Sequence, residues 1–277
     1  MVDLSFALVT DLHFGPEARF GGKLRKLTGR APELTRAFIQ RMNEVVHPDF
    51  VVNLGDDIED DTADVDRARY TECNALLRKA NAPLVHVAGN HDTIHLKVAE
   101  LLQIWGRGPW DRAKDGFYGF DSGGCHFVVL HTHEKKDVEI TVGRRQLEWL
   151  ASDLAATRLP TVVLMHHSAA DQDLRGNRWF EGSPEICLVK ERAELRRILR
   201  EDGQGRVRAV FNGHLHWNHL DVIGGLPYVT VQSLIENLDD DAPGRPAAAH
   251  AVCRLNDKRL VVEIEGNDPA RYQIELA

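Results

Sequence analysis

Five short apolar runs, each stopping at a cluster of metal-ligand residue types, constrain this chain more than any other feature. Residues 4–9 stop at Thr10-Asp11 with His13 two positions on, and residues 50–54 stop at Gly55-Asp56. Residues 84–88 stop at Gly89-Asn90-His91-Asp92, residues 161–165 at His166-His167, and residues 207–211 at Asn212-Gly213-His214 with His216 beyond. A short, mostly apolar run reads as a buried strand, and the carboxyl ends of such strands are where α/β folds collect their chemistry. Helical spacing over 32–46, 65–79, 143–156 and 190–200 alternates with the runs, which gives an α/β class. Residues 117–120 and 126–130 read as antiparallel strands across a turn at 121–124, residues 228–232 as a further strand, and 252–255 with 259–265 as a last hairpin. No fixed-period repeat interrupts residues 1–277, and the stretch 239–246 reads as a surface loop, so a single domain is expected.

Composition narrows the chemistry. The chain carries 14 histidines and four well-separated cysteines without a CxxC pair, which favours imidazole and carboxylate ligands over thiolates. The cysteines read as reduced core residues. A formal net charge of -8 supplies no field for gripping a duplex, so nucleic acid is disfavoured as a partner. No basic leader followed by an apolar stretch and no run of about 18 apolar residues is present, and a cytoplasmic location without a membrane partner is expected. A homo-oligomer stays open.

Within an extended segment side chains alternate, so Asp11 and His13, or His214 and His216, can point the same way and grip one ion. Gly55, Gly89 and Gly213 precede three of the clusters, where loops must approach closely. The ordered set D-x-H, GD, GNH followed by an acid, H, and GHxH, running from Asp11 to His216, resembles the calcineurin-like metallophosphoesterases. Gly89-Asn90-His91-Asp92 and His166-His167 are most similar to the bacterial cyclic-nucleotide phosphodiesterase branch.

The resemblance implies a four-layer αββα sandwich of two mixed sheets flanked by helices. It implies one metal ion held by Asp11, His13, Asp56 and His216, and a second held by Asp56, Asn90, His166 and His214, with Asp56 bridging. Nitrogen and hard oxygen donors suit iron, manganese or zinc, in divalent or trivalent form. Two such ions roughly 3.5–4 Å apart can bind phosphate oxygens and present a hydroxide in line with the leaving group. The expected activity is phosphodiester hydrolysis of a small-molecule ester, cyclic nucleotides such as cAMP first. Glycerophosphodiesters, nucleoside diphosphate derivatives and phosphomonoesters are alternatives within the class, and a non-catalytic scaffold of the same fold is the alternative outside it.

His91 is the expected general acid, with Asp92 orienting its ring. His167 reads either as a substrate or ligand support or as an inert strand-end residue. Arg25, in the basic stretch 19–30, could clamp an anion, and Trp179 could offer a ring for stacking; a solvated loop and a hydrophobic anchor are the respective alternatives. Asp57 and Asp60 read as loop or helix-starting acids, His131 and His133 as surface-loop residues, and His86 and His126 as structural.

Overall fold

A computed structural model describes residues 2–111, 113 and 115–276. The chain runs β1 (Asp3–Val9), α1 (Ala31–Arg41), β2 (Phe50–Asn53), α2 (Ala63–Leu77), β3 (Leu84–His86), α3 (Asn90–Thr93) and α4 (Val98–Trp105). It continues through β4 (Tyr118–Ser122), β5 (Cys125–Val129), β6 (His133–Lys135), β7 (Glu139–Thr141), α5 (Arg144–Ala156), β8 (Thr161–Leu164) and α6 (Arg192–Glu201). Last come β9 (Val207–Asn212), β10 (His219–Ile223), β11 (Leu226–Thr230), β12 (His250–Asn256), β13 (Arg259–Glu265) and β14 (Ala270–Glu275).

Two six-stranded sheets form, in the orders β14-β13-β12-β1-β2-β3 and β10-β11-β9-β8-β5-β4, beside a small β6-β7 ribbon. Parallel pairs sit at the centre of each sheet, β1 with β2 and β3 in one, β5 with β8, β9 and β11 in the other. Antiparallel strands close both edges of the second sheet and the β14 edge of the first, whose other edge is the parallel strand β3. The inner faces meet through Phe6, whose ring lies 5.4 Å from Phe50 in its own sheet and 5.6 Å and 5.8 Å from Phe127 and Phe211 in the other. The outer faces are covered by helices: Leu34, Phe38 and Tyr70 of α1 and α2 pack into the main core, and Leu147, Leu150, Leu195 and Ile198 of α5 and α6 pack on Val128, Val163 and Val210. This is the expected four-layer sandwich of two mixed sheets.

The expected helix over 32–46 turns wider after Arg41, with a π-type segment Met42–Val46. Four strands went unread in the sequence: β6, β7, β10 and β14. In β14 alternate residues are only half buried and the others exposed, so little apolar signal marks it. All five apolar runs are strands, and their carboxyl ends lie together along one edge of the sandwich, where backbone bonds stitch the loops. Asp11 N–H donates to the Gly55 carbonyl at 2.9 Å, His13 N–H to the Asp56 carbonyl at 3.0 Å, and Gly213 N–H to the His166 carbonyl at 3.1 Å.

Candidate metal centre

The loops that carry the ligands are not extended. Asp11, His13, Asp56, His214 and His216 all have positive φ, between 45° and 65°. Aspartate and histidine tolerate the left-handed region better than most residues, yet each such residue costs roughly 1–3 kcal/mol unless its surroundings hold it. The expectation that Asp11 and His13, or His214 and His216, reach one site by strand alternation is therefore corrected: they reach it through left-handed turns. Crowding explains the glycines between them. A Cβ on Gly89 would lie 2.2 Å from the Asp56 amide nitrogen, and one on Gly213 would lie 2.0 Å from Thr10 Oγ1.

These turns bring two groups of donor atoms together. Asp11 Oδ1, His13 Nε2 and His216 Nε2 form the first: His216 Nε2 is 3.3 Å from Asp11 Oδ1 and 3.2 Å from His13 Nε2. His166 Nε2 lies 3.1 Å from Asn90 Oδ1 and 3.3 Å from Asp56 Oδ2 in the second. The His214 ring sits 5.1 Å from that of His166. Asp56 Oδ2 is also 3.8 Å from His13 Nε2, so this one oxygen faces both groups, while Asp56 Oδ1 accepts the His91 N–H at 3.0 Å.

The protonation pattern shows what the groups lack. An ionised carboxylate or a carbonyl can only accept hydrogen bonds, so a ring nitrogen beside one must carry the proton. His13 Nδ1 faces Glu59 Oε2 at 3.0 Å with the Lys26 ammonium 3.4 Å away, His216 Nδ1–H donates to Glu236 at 2.8 Å and His166 Nδ1–H to the Leu54 carbonyl at 2.9 Å. In the neutral rings each Nε2 is then a lone pair, and those of His13 and His216 face one another across 3.2 Å. Asp11 Oδ1 and His214 Nε2 are buried with no hydrogen-bond partner. Converging lone pairs and orphaned acceptors in a buried site call for positive charge, and aspartate, asparagine and imidazole donors fit two metal ions.

Without a metal the same demand falls on protons. Burial opposes charge on His216 and His166, but carboxylates outweigh it: Asp11 and Glu236 push His216 up to about 9, and Asp56 and Asp11 push His166 up to about 10. Burial and the Lys26 ammonium push His13 down to about 4.

His91 sits on the wall of the adjoining cavity, about 270 Å³, with one ring nitrogen within 4.8 Å of ligand atoms of His13 and Asp56. Its Nδ1–H donates to Asp60 Oδ1 at 2.5 Å, which leaves Nε2 available to the cavity. This corrects the expected role of Asp92. Asp92 is fully buried and accepts the backbone N–H groups of Asp56, Asp57 and Gly89 at 2.8–2.9 Å, so it ties two ligand loops together and does not orient His91. Asp60, read in the sequence as a loop acid, orients it instead. Asp57 is no surface acid either: it is buried, accepts from Asn53 Nδ2 at 2.6 Å, and burial pushes its carboxyl up to about 6.

The substrate-contact expectations fare differently. His167 is fully buried behind the centre, bonded to Thr132 Oγ1 at 2.7 Å, and does not line the cavity. Arg25 does not line it: its guanidinium bonds the Arg178 carbonyl and covers the Trp179 ring at 5.3 Å. Lys26 is the member of the basic stretch that does. Arg19 and Lys23 are paired with Asp241 and Asp240, so the stretch is not a freely solvated loop. Trp179 lines the cavity, but Arg25, Lys26 and the Phe20 ring already pack on it. His131 is buried, its N–H donating to Gln146 Oε1, whereas His133 is exposed.

Glu59 and Glu236 were missed in the sequence, and Lys26 was read only as one member of the basic stretch. The acid-rich run after Gly55 contains Glu59 and offered a weak signal; Glu236 offered none beyond its place after an apolar run. A larger recess, about 670 Å³, lies between α6 and β11 and holds none of the ligand residues.

Comparison with known proteins agrees with this geometry. A family model described as Calcineurin-like phosphoesterase matches residues 4–218. A "Probable cyclic nucleotide phosphodiesterase" of Synechococcus sp. is 27% identical over 215 residues, spanning 77% of this chain and 73% of that protein. A "cAMP/cGMP dual specificity phosphodiesterase" of Mycobacterium tuberculosis is 28% identical over 227 residues, 78% of this chain and 64% of that one. A "Serine/threonine-protein phosphatase" of Mus musculus is 27% identical over 231 residues, 78% of this chain and 69% of that one. Among solved structures, purple acid phosphatase of yellow lupin superposes with a TM-score of 0.68 at 13% identity, covering 99% of this chain and 54% of the phosphatase. Plasmodium GAP50 superposes with 0.61 at 12% identity, covering 100% and 90%. Two mixed sheets, helices on both outer faces and a buried histidine-aspartate centre at the strand ends thus agree with the sequence match, and the chain belongs to the calcineurin-like phosphoesterase family of metal-dependent phosphoester hydrolases.

Proposed function

We propose that this chain, as a single domain over residues 1–277, hydrolyses small phosphodiesters, cyclic nucleotides foremost, at a dinuclear centre held by Asp11, His13, Asp56, Asn90, His166, His214 and His216. The observation that carries the reading is the convergence of donor groups on Asp56 Oδ2 beside an oriented, cavity-lining His91. Two bound iron, manganese or zinc ions would supply the charge that polarises the phosphoryl group and makes water nucleophilic at neutral pH.

The protein's own groups do the rest. Asp60 holds the Nδ1 proton of His91, so Nε2 is the nitrogen that exchanges a proton with the departing oxygen. Lys26 and Lys136 line the same cavity, where Glu59, Glu134 and Asp137 oppose their charge, so attraction for an anionic substrate would come from the two bound ions, and Phe20, Trp179 and Phe180 form its aromatic wall. Phe180 stacks at 4.7 Å on His214 and Trp179 is packed on its faces, so these rings shape the wall more than they offer a free stacking surface. The curated relatives named as cyclic-nucleotide phosphodiesterases support the diester preference. A phosphomonoesterase is the second reading, supported by the murine relative's name. No helix among the described residues is long and apolar enough to cross a membrane. A cytoplasmic location is part of the proposal, on the reading of the four cysteines as reduced core residues.

The test is hydrolysis of bis-p-nitrophenyl phosphate, p-nitrophenyl phosphate and cAMP by metal-free protein reloaded with manganese, iron or zinc. Metal-dependent turnover of both diesters above the monoester is expected. Faster turnover of the monoester would overturn the diester preference, and no turnover with two ions bound would favour a scaffold.

A further inference from the structure

We infer that Glu59 and Glu236 are positioning residues that make the two cation positions unequal, because they back both imidazoles of the first position with carboxylates, while among the described residues no carboxylate backs an imidazole of the second. The inference rests on the dinuclear reading above.

Glu236 lies in the segment after β11 and is 1% exposed. One of its oxygens receives both His216 Nδ1–H at 2.8 Å and Trp179 Nε1–H at 3.0 Å, and Arg178 Nη1 lies 3.1 Å from the other. Two donors on one oxygen fix the carboxylate's direction, and through it the His216 ring. Glu59 does the same for His13 at 3.0 Å, but shares that oxygen with Lys26 Nζ at 2.9 Å. Lys26 is itself buried, held 5.4 Å over the rings of Phe20 and Trp179. Trp179 therefore touches both supports.

The second position has no such backing. His166 Nδ1–H goes to the Leu54 carbonyl, Asn90 is neutral, and among the described residues no carboxylate oxygen pairs with a ring nitrogen of His214. A carboxylate behind an imidazole locks its tautomer and raises its basicity as a ligand, and such partners are worth roughly 10–100-fold in metal affinity. The first position thus faces Asp11, shared Asp56 and two carboxylates one ring away, the second shared Asp56 and, through neutral Asn90, the half-buried Glu134, with no carboxylate behind either of its rings among the described residues. Lys26 offsets Glu59, whereas the Arg178 guanidinium beside Glu236 is shared with Asp240, so Glu236 carries the larger effect.

Glutamine keeps an oxygen to accept the His216 Nδ1–H and removes the charge, turning only the atom that faces Arg178 into a donor, so Glu236→Gln tests the electrostatics with the side chain's shape kept. Full-length protein freed of metal by chelation is titrated calorimetrically with Mn²⁺ alone, which reads affinity without activity. Wild type should bind in two unequal steps. Glu236→Gln should weaken the tighter step by roughly 10–100-fold and leave the weaker unchanged, with Glu59→Gln acting in the same direction by less. Glu59→Gln is also the independent variant should loss of the buried Glu236 charge impair folding. Two steps of equal affinity in the wild type, or variants that weaken both steps alike, would overturn the inference. Failure of the wild type to bind Mn²⁺ at all would overturn the dinuclear reading itself.

Discussion

Histidines meet carboxylates at both ends of the sandwich, and the two meetings have opposite outcomes. At the amino end of β5, His126 donates Nδ1–H to Asp121 at 2.6 Å and Nε2–H to Asp153 at 2.8 Å. Both nitrogens are spent, so the cluster is a closed ion pair. Along the carboxyl ends of the strands, His13 and His216 spend only Nδ1 and turn Nε2 lone pairs toward one another and toward Asp11. Proximity of histidine and acid is shared by the two ends; what separates them is unsatisfied donor capacity. The backbone tells the same story. His126 lies in a regular strand, whereas five of the seven proposed ligands sit in left-handed turns, strain that a packed framework sustains where the site needs that geometry.

Asp56→Ala should break the comparison most severely. Loss of the oxygen facing both donor groups should remove both ions and bring hydrolysis to background, read by metal analysis and turnover together. His126→Gln should leave metal content and rate intact. Metal binding should also stabilise the fold, by about 4 kcal/mol at a thousandfold excess over the dissociation constant. A thermal melt with and without chelator should show this shift in the wild type and in His126→Gln, but not in Asp56→Ala.

His91→Ala should retain both ions but slow the reaction by roughly 10²–10⁴-fold, the usual worth of positioned proton transfer. Asp60→Asn should slow it less, since it disturbs only the ring's tautomer and aim. A rate loss in Asp92→Asn equal to that in His91→Ala, with unchanged stability, would contradict the reassignment. The expected effect of Asp92→Asn is structural: one of three buried backbone N–H groups loses its acceptor, at a cost of about 1–3 kcal/mol in urea unfolding.

That reassignment shows how far the sequence could be read. Asp11, His13, Asp56, Asn90, His91, His166, His214 and His216 were legible because each follows an apolar run and is a ligand or acid-base type, properties a one-dimensional pattern preserves. Which acid serves His91 was not legible. Asp92 is adjacent in sequence, but the first turn of α3 points it at the backbone of the Asp56 loop, and Asp60, 31 residues away, arrives through tertiary packing. Glu236 reaches His216 across 20 residues only because β11 returns beside β9, a pairing that no local pattern encodes. Asp57, His131 and His167 show the converse. Asp57 and His131 were read as loop residues and His167 as a support or an inert strand end, yet the two packed sheets bury all three and supply partners such as Asn53, Gln146 and Thr132.

The smallest expected effect belongs to His126. Burial opposes its charge, but Asp153 and Asp121 outweigh that and raise its pKa above the ordinary 6.5. A raised folded-state value means the contribution to stability is complete below the unfolded value and fades as pH rises through the folded one. The destabilisation caused by His126→Gln, read from urea midpoints, should therefore be larger at about pH 5.5 than at about pH 9. An equal loss at both values would mean that the ring is held by packing alone.

Anomalous diffraction from crystals soaked in Mn²⁺ tests the central claim most directly. Two peaks roughly 3.5–4 Å apart, flanking Asp56 Oδ2, are predicted, one beside Asp11, His13 and His216, the other beside Asn90, His166 and His214. A single peak, or ions bound away from Asp56, would contradict the account.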